Sequence, residues 1–384
     1  MKQQSLKKWI YSAVTIMSVG VLAACSSTTS STTSSSSSSQ VTTASSSSSA
    51  SSSSSESTSS IDWSALPTTE VSLTDEGLTI TEGGTYVLTG STIGGVTVET
   101  DANVRIILAG ATISSSDTAA INVISADNVE IELQDGTENT VKDSSTHSDT
   151  NIEGAIHVEA DLTITGNGSL TVEGNFQDGI VSTDDMVINA GDIKVTAVDD
   201  GIRGKDSMTI NGGTIDVTAG GDGIKSTNDS DTTKGYTTIT GGTITVAAGD
   251  DGIKAEMALT IDGGDITVSE SLEALEGTNI TINGGTLDVY GADDAINAAS
   301  TISTDIFIKV TGGDLKVAVG SGDTDAFDAN GDIYISGGTI DVTAQSAFDF
   351  DGTAELTGGT VTVYGEQITQ ITATGPGAGG HGGW

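Results

Sequence analysis

Acidic side chains recurring at a fixed spacing are the feature of this sequence most able to do chemistry. Asp178-Gly179-Ile180, Asp200-Gly201-Ile202, Asp222-Gly223-Ile224 and Asp251-Gly252-Ile253 share one pattern. It drifts to Glu273-Ala274-Leu275, Asp294-Ala295-Ile296, Asp325-Ala326-Phe327 and Ser346-Ala347-Phe348. Measured at the middle residue, the steps are 22, 22, 29, 22, 21, 31 and 21 residues. A short fixed period marks a solenoid, in which each repeat packs on its neighbours. Stacked coils lie about 4.8 Å apart, so these acids form a ladder, thickened by Asp199, Asp250 and Asp293. Carboxylates so placed repel by about 1 kcal/mol per pair in water and by more when desolvated. They either splay into solvent or take cations. Calcium fits, because it accepts about six to eight oxygen ligands in irregular geometry. The pairs Asp199/Asp200, Asp250/Asp251 and Asp293/Asp294 are the strongest places, with Asp222, Glu273, Asp325 and Asp328 as further candidate ligands. The alternative is that each Asp only makes a turn before its Gly. His147, His157 and His381 are scattered and no Cys cluster exists, which excludes a zinc centre.

Three residues past each acid runs a second column: Arg203, Lys225, Lys254, then Glu276, Asn297 and Asp328. Its basic half is either a strip that pairs with the carboxylates of an acidic sugar polymer or a local neutraliser of the ladder. Tyr290 and Tyr364 occupy like positions after Leu287-Asp288-Val289 and Val361-Thr362-Val363 and are candidates for stacking on sugar rings. Aromatics are only 4% of the chain, too few for a broad flat platform.

Strands must position these residues. Met208-Thr-Ile-Asn-Gly-Gly-Thr-Ile-Asp-Val-Thr-Ala219 and Ile280-Thr-Ile-Asn-Gly-Gly-Thr-Leu-Asp-Val-Tyr-Gly291 each read as two alternating strands about a Gly-Gly corner. A third short segment follows the Asp-Gly corner, as in Ile224-Lys225-Ser226. Three strands and three turns per 22 residues predict an all-β fold, a right-handed parallel β-helix; a propeller blade needs about 40. Extra residues at 227–235 and 299–305 should bulge from one side as loops, and residues 79–174 form looser first coils that protect the helix end.

The ends have other roles. Lys2, Lys7 and Lys8 followed by an apolar run make residues 1–24 a secretory signal. Leu22-Ala23-Ala24-Cys25 resembles the lipobox of bacterial lipoproteins, in which Cys25, the lone cysteine, takes a lipid anchor. Residues 25–60 are that Cys and a Ser/Thr-rich spacer with too little apolar content to fold. The β-helix then spans 61–373, and 374–384 is a Gly-rich tail. This places the domain at the extracellular face of the bacterial cell membrane, anchored through lipid, as a monomer. The formal charge of −40, from 13 basic and 53 acidic residues, excludes nucleic acid, which needs a basic footprint.

From about Glu70 to Gly365 the chain resembles the bacterial carbohydrate-binding domain-containing proteins, related in fold to pectate-lyase-like β-helices. The resemblance rests on Thr137-Glu138-Asn139, residues 199–206 (DDGIRGKD), 273–277 (EALEG), 293–297 (DDAIN) and 328–331 (DANG). It departs at Ala295 and Ala326, where Gly is usual, and at Phe327, where Ile is usual. The resemblance implies binding of cell-wall polysaccharide, including acidic polymers such as polygalacturonate, with calcium on the β-helix. The leading expectation is therefore a surface lipoprotein that binds cellulose-like or acidic polysaccharide without cleaving it. A uronate lyase on the same fold, with Arg203, Lys225 or Lys254 as base, and a structural adhesin rod are the alternatives.

Overall fold

A computed structural model of the chain describes residues 61–322 and 324–374. The leader, Cys25, the spacer and the tail beyond Thr374 lie outside the described residues. The described residues form thirty-four short strands and one 3-10 turn, Trp63–Ala65, and none of their helices is long and apolar enough to cross a membrane.

The strands wind into a parallel β-helix with three faces. One coil shows the construction. Ser207–Ile210 lies on the first face, Gly212-Gly213 turns the chain, Thr214–Ala219 lies on the second, Asp222-Gly223 turns it again, and Ile224–Ser226 lies on the third. Successive coils pair in parallel, and most keep register throughout: Thr214 to Ala219 stand beside Thr243 to Ala248, residue for residue. The alternation read from the sequence follows this register. Ile215 and Val217 point inward and are buried, while Thr214 and Thr218 are exposed.

Inward positions stack like on like. On the third face Ile156, Ile180, Ile202, Ile224, Ile253, Leu275, Ile296, Phe327 and Phe348 form one continuous file. Phe327 and Phe348 stack with ring centroids 5.2 Å apart near the C-terminal end. A buried intruder in the first face, Thr237, is satisfied by Ser226 Oγ at 3.1 Å and Lys254 O at 2.9 Å. The last strand, Glu366–Ile368, folds back antiparallel on Thr360–Val363. Thr374 Oγ1 accepts from the Ala347 and Phe348 amides. Both contacts cover the open end.

The two glycine-rich corners differ in cause. At the Gly-Gly corner the second glycine is left-handed, with φ of +97° at Gly213 and +99° at Gly242, a region that side chains resist. At the Asp-Gly corner the constraint is space. A Cβ on Gly201 would sit 2.3 Å from Val217 Cγ1 and 2.5 Å from the Gly223 carbonyl oxygen. After Gly252 the position is Ala, at Ala274, Ala295, Ala326 and Ala347, fully or almost fully buried. The loops at 227–235 and 299–306 both leave the corner between third and first faces, as the repeat spacing predicts.

Gly201→Ala should therefore destabilise by about 1–3 kcal/mol through overpacking, and Ala295→Gly by less than about 1 kcal/mol. Urea unfolding of the two variants checks the asymmetry.

Candidate functional site

The acidic ladder is real and mostly buried. Asp178, Asp200, Asp222 and Asp251 stand at the corner between the second and third faces, at 3, 7, 5 and 2% exposure. The carboxylates have two tasks. In the first three, Oδ1 accepts from the backbone N–H of the next ladder residue: Asp200 N to Asp178 at 3.1 Å, Asp222 N to Asp200 at 3.0 Å, Asp251 N to Asp222 at 2.9 Å. Further along, Asp325 N donates to Asp294 Oδ1 at 2.8 Å, and Ser346 Oγ donates to Asp325. These bonds run between coils, so the side chains bind one coil to the next rather than shaping only their own turn.

The second oxygen meets a cation. Arg203 lies 2.8 Å from Asp178 Oδ2 and also pairs with Glu153. Lys225 bridges Asp200 Oδ2 at 2.5 Å and Asp222 Oδ2 at 2.9 Å. Lys254 bridges Asp251 Oδ2 at 2.7 Å and Glu276 at 2.5 Å. Burial alone would favour neutral forms of these bases, yet the flanking carboxylates raise all three above their ordinary values. The basic column is thus committed to the ladder. Glu153, which completes the Arg203 site, carries no repeat signal because it precedes the strand Gly154–Val158 on a loop.

The cations stop at Lys254. In register beyond it stand Glu276, Asn297, Asp328 and Asp349. Desolvation pushes Glu273 and Glu276 up to about 8, with the neighbouring Asp251 adding to the shift. Desolvation likewise lifts Asp294 to about 6, helped by Asp293 and Asp325, and Asp328 to about 7, helped by Asp294 and Asp325. Asp178 rises to about 6 through burial, with Arg203 opposing the rise.

At the changeover three carboxylates converge. Asp222, Asp250 and Asp251 offer oxygens that all lie within 4.8 Å of one another. Asp250 is exposed and opens the cluster to solvent. Asp251 Oδ1 is fully buried and accepts from no N–H or hydroxyl; the groups beside Asp251 are two more carboxyls, Glu273 and Glu276. An orphaned oxygen in an all-oxygen cluster suits a hard cation. Of the other expected pairs, Asp199 and Asp200 turn their Oδ1 atoms toward the space over Gly221, where a Cβ would meet them at 2.5 and 2.7 Å. Asp293 is exposed beside half-buried Asp294, and Asp325 and Asp328 extend that acidic stretch into the following coil.

The two expected tyrosines do not form one platform. Tyr290 aligns with Ala318, and Ala318 with Thr343, so two coils with no aromatic at that position separate it from Tyr364. Tyr364 also leaves the strand with φ of +51°. Both rings are exposed, at 37 and 61%.

A parallel β-helix with an outward ladder of paired carboxylates defines the class. Residues 74–326 match the carbohydrate-binding domain-containing protein family, and the chain belongs to that family. A curated relative, a carbohydrate-binding domain-containing protein of Acetivibrio thermocellus, is 33% identical over 135 residues, 33% of this chain and 47% of the relative. The chain therefore spans about half the length of that relative. A solved structure, the polysaccharide lyase-like protein from C. thermocellum as its gadolinium derivative, aligns with a TM-score of 0.53 and 34% identity, over 55% of this chain and 93% of that one.

Two outcomes follow from this geometry. Lys225→Met strands two buried carboxylates and should cost on the order of 3 kcal/mol, read by urea unfolding. In chelator, Glu273 and Glu276 have folded-state values above the unfolded 4.5, so the folded protein holds protons that the unfolded chain releases. Their contribution is present below about pH 4.5 and is lost as pH rises to about 8. The melting temperature in chelator should fall by a few degrees across that window, and added calcium should flatten the fall. Thermal melts at pH 5 and pH 8 test both statements.

Proposed function

We propose that this protein binds polysaccharide at the bacterial cell surface without cleaving it, and that calcium held by the corner carboxylates takes part. Membership of the carbohydrate-binding family supports the polysaccharide. The orphaned Asp251 Oδ1 amid Asp222, Asp250 and Glu273 is the observation that carries the calcium. Gadolinium, the ion of the similar solved protein's derivative, is a hard cation of the kind such oxygen sites accept. Calcium bound there would neutralise the acidic half of the ladder and leave positions open to the carboxylates of an acidic polymer, joining two negative partners. Cys25 would anchor the domain to the membrane through lipid, with residues 26–60 as spacer.

The ion pairs favour binding over lyase chemistry. A lyase base must be neutral when it takes a proton. Arg203, Lys225 and Lys254 are each gripped by two carboxylates and held charged.

The test is retention of the full chain on insoluble pectate and on cellulose, with calcium and with chelator. Retention on pectate should drop severalfold on chelation and in the Asp250→Asn/Asp251→Asn double variant. Cellulose retention indifferent to chelator would make calcium purely structural. Absence of retention on both would overturn the reading and favour the adhesin rod.

A further inference from the structure

The first face carries a second candidate site, remote from the ladder in chemistry. Strands Phe307–Val310, Asp332–Ile335 and Ala354–Leu356 line a cleft of about 470 Å³ together with Asp305. Register fixes its layout: Lys309, Tyr334 and Glu355 stand in one outward column, Phe307 and Asp332 in the next. Each column step is about 4.8 Å, so Lys309 and Glu355 lie roughly 10 Å apart with the Tyr334 residue between them.

Three observations point to a ligand. First, Phe307 and Tyr334 are aromatic side chains at outward strand positions, where the other coils mostly hold Thr, Ser, Asp or Val. Second, Tyr334 is tethered. Its hydroxyl donates to Asp332 Oδ2 at 2.6 Å, while Asp332 Oδ1 accepts from Thr353 N at 2.6 Å. That arrangement occupies both oxygens of Asp332 and holds the ring in place. Third, Lys309 is uncommitted. Among the described residues every Lys and Arg except Lys205 and Lys309 lies in an ion pair. An unpaired ammonium beside two aromatic rings is conspicuous in a chain of charge −40.

We propose that this cleft binds a uronate residue of an acidic polysaccharide directly, with the sugar ring against Tyr334 and Phe307 and its carboxylate on Lys309. An aromatic face packs against the apolar C–H face of a sugar and adds affinity at little entropic cost. Glu355, at the other end of the column, repels the carboxylate and accepts from hydroxyls, which sets the orientation. No calcium is needed here, because the ammonium supplies the charge. Asp332, Tyr334 and Glu355 lie beyond residue 326, where the family match ends, whereas Phe307 and Lys309 lie within it. The proposal rests on the polysaccharide-binding reading and deepens it.

The experiment is binding of soluble oligogalacturonate and of an uncharged glucan oligomer of equal length to the full chain in chelator. Calorimetry follows the wild type, Tyr334→Ala, Lys309→Met and, as comparison, Tyr290→Ala and Tyr364→Ala. Tyr334→Ala should weaken oligogalacturonate at least about tenfold. Lys309→Met should weaken it several-fold and remove its salt dependence, with glucan binding unchanged. Melting curves like the wild type's confirm that both variants fold. Oligogalacturonate binding untouched by Lys309→Met and Tyr334→Ala, or lost instead in Tyr290→Ala or Tyr364→Ala, overturns the cleft and leaves the polysaccharide reading standing. Binding that disappears from the wild type in chelator but returns with calcium assigns recognition to the ladder and also overturns the cleft. A wild type that holds neither oligomer in chelator or calcium overturns both.

Discussion

In-register stacking of parallel coils is the constraint on which the rest of this structure depends. Because each residue stands about 4.8 Å from its equivalents above and below, whatever side chain a position carries is repeated along the axis. For Ile on the third face this is favourable, and the file from Ile156 to Phe348 is part of the core. For Asp at the neighbouring corner it is costly, since charges are stacked where solvent is scarce. The structure offsets that cost in two ways. Backbone N–H groups of successive coils donate to the ladder oxygens, and Arg203, Lys225 and Lys254 lie between the carboxylates.

The compensation ends partway. After Lys254 the outward column turns acidic and polar, and the carboxyls of Glu276 and Asp328 are shifted toward their protonated forms. The same fold therefore has a self-neutralised half and a half short of positive charge. The first half is committed to holding coils together, and the proposed cation would take up oxygens of the second. The loop at 299–306 and the cleft about Tyr334 belong to that second half, whereas the loop at 227–235 leaves a coil of the first.

Much of this was legible in the sequence because a solenoid writes its structure as a period. The 22-residue step gave the coil, the alternation gave the inward face, and the extra residues at 227–235 and 299–305 gave both loops. The acidic column was legible too, since Asp-Gly, drifting to an acid before Ala, marks the corner from Asp178 to Asp325. What stayed hidden depends on relations between coils. That the carboxylates cap the next coil's amides, or that Glu153 reaches Arg203 from a loop, cannot be read from spacing within one repeat. Tyr290 and Tyr364 looked equivalent because they follow the same tripeptide pattern, but two coils intervene and Tyr364 turns out of the strand. Phe307 and Tyr334 were overlooked although their signal was present: an aromatic at an outward position of an alternating strand.

A hard cation that completes the acidic half of the ladder would take the place of protons there. Calorimetric titration of the chelated full chain with calcium at pH 7, repeated in buffers of different ionisation enthalpy, tests this most directly. The expected result is saturable binding with release of protons, because Glu273 and Glu276 hold protons until the ion arrives. No binding, or binding without proton release that persists in the Asp250→Asn/Asp251→Asn variant, would contradict it.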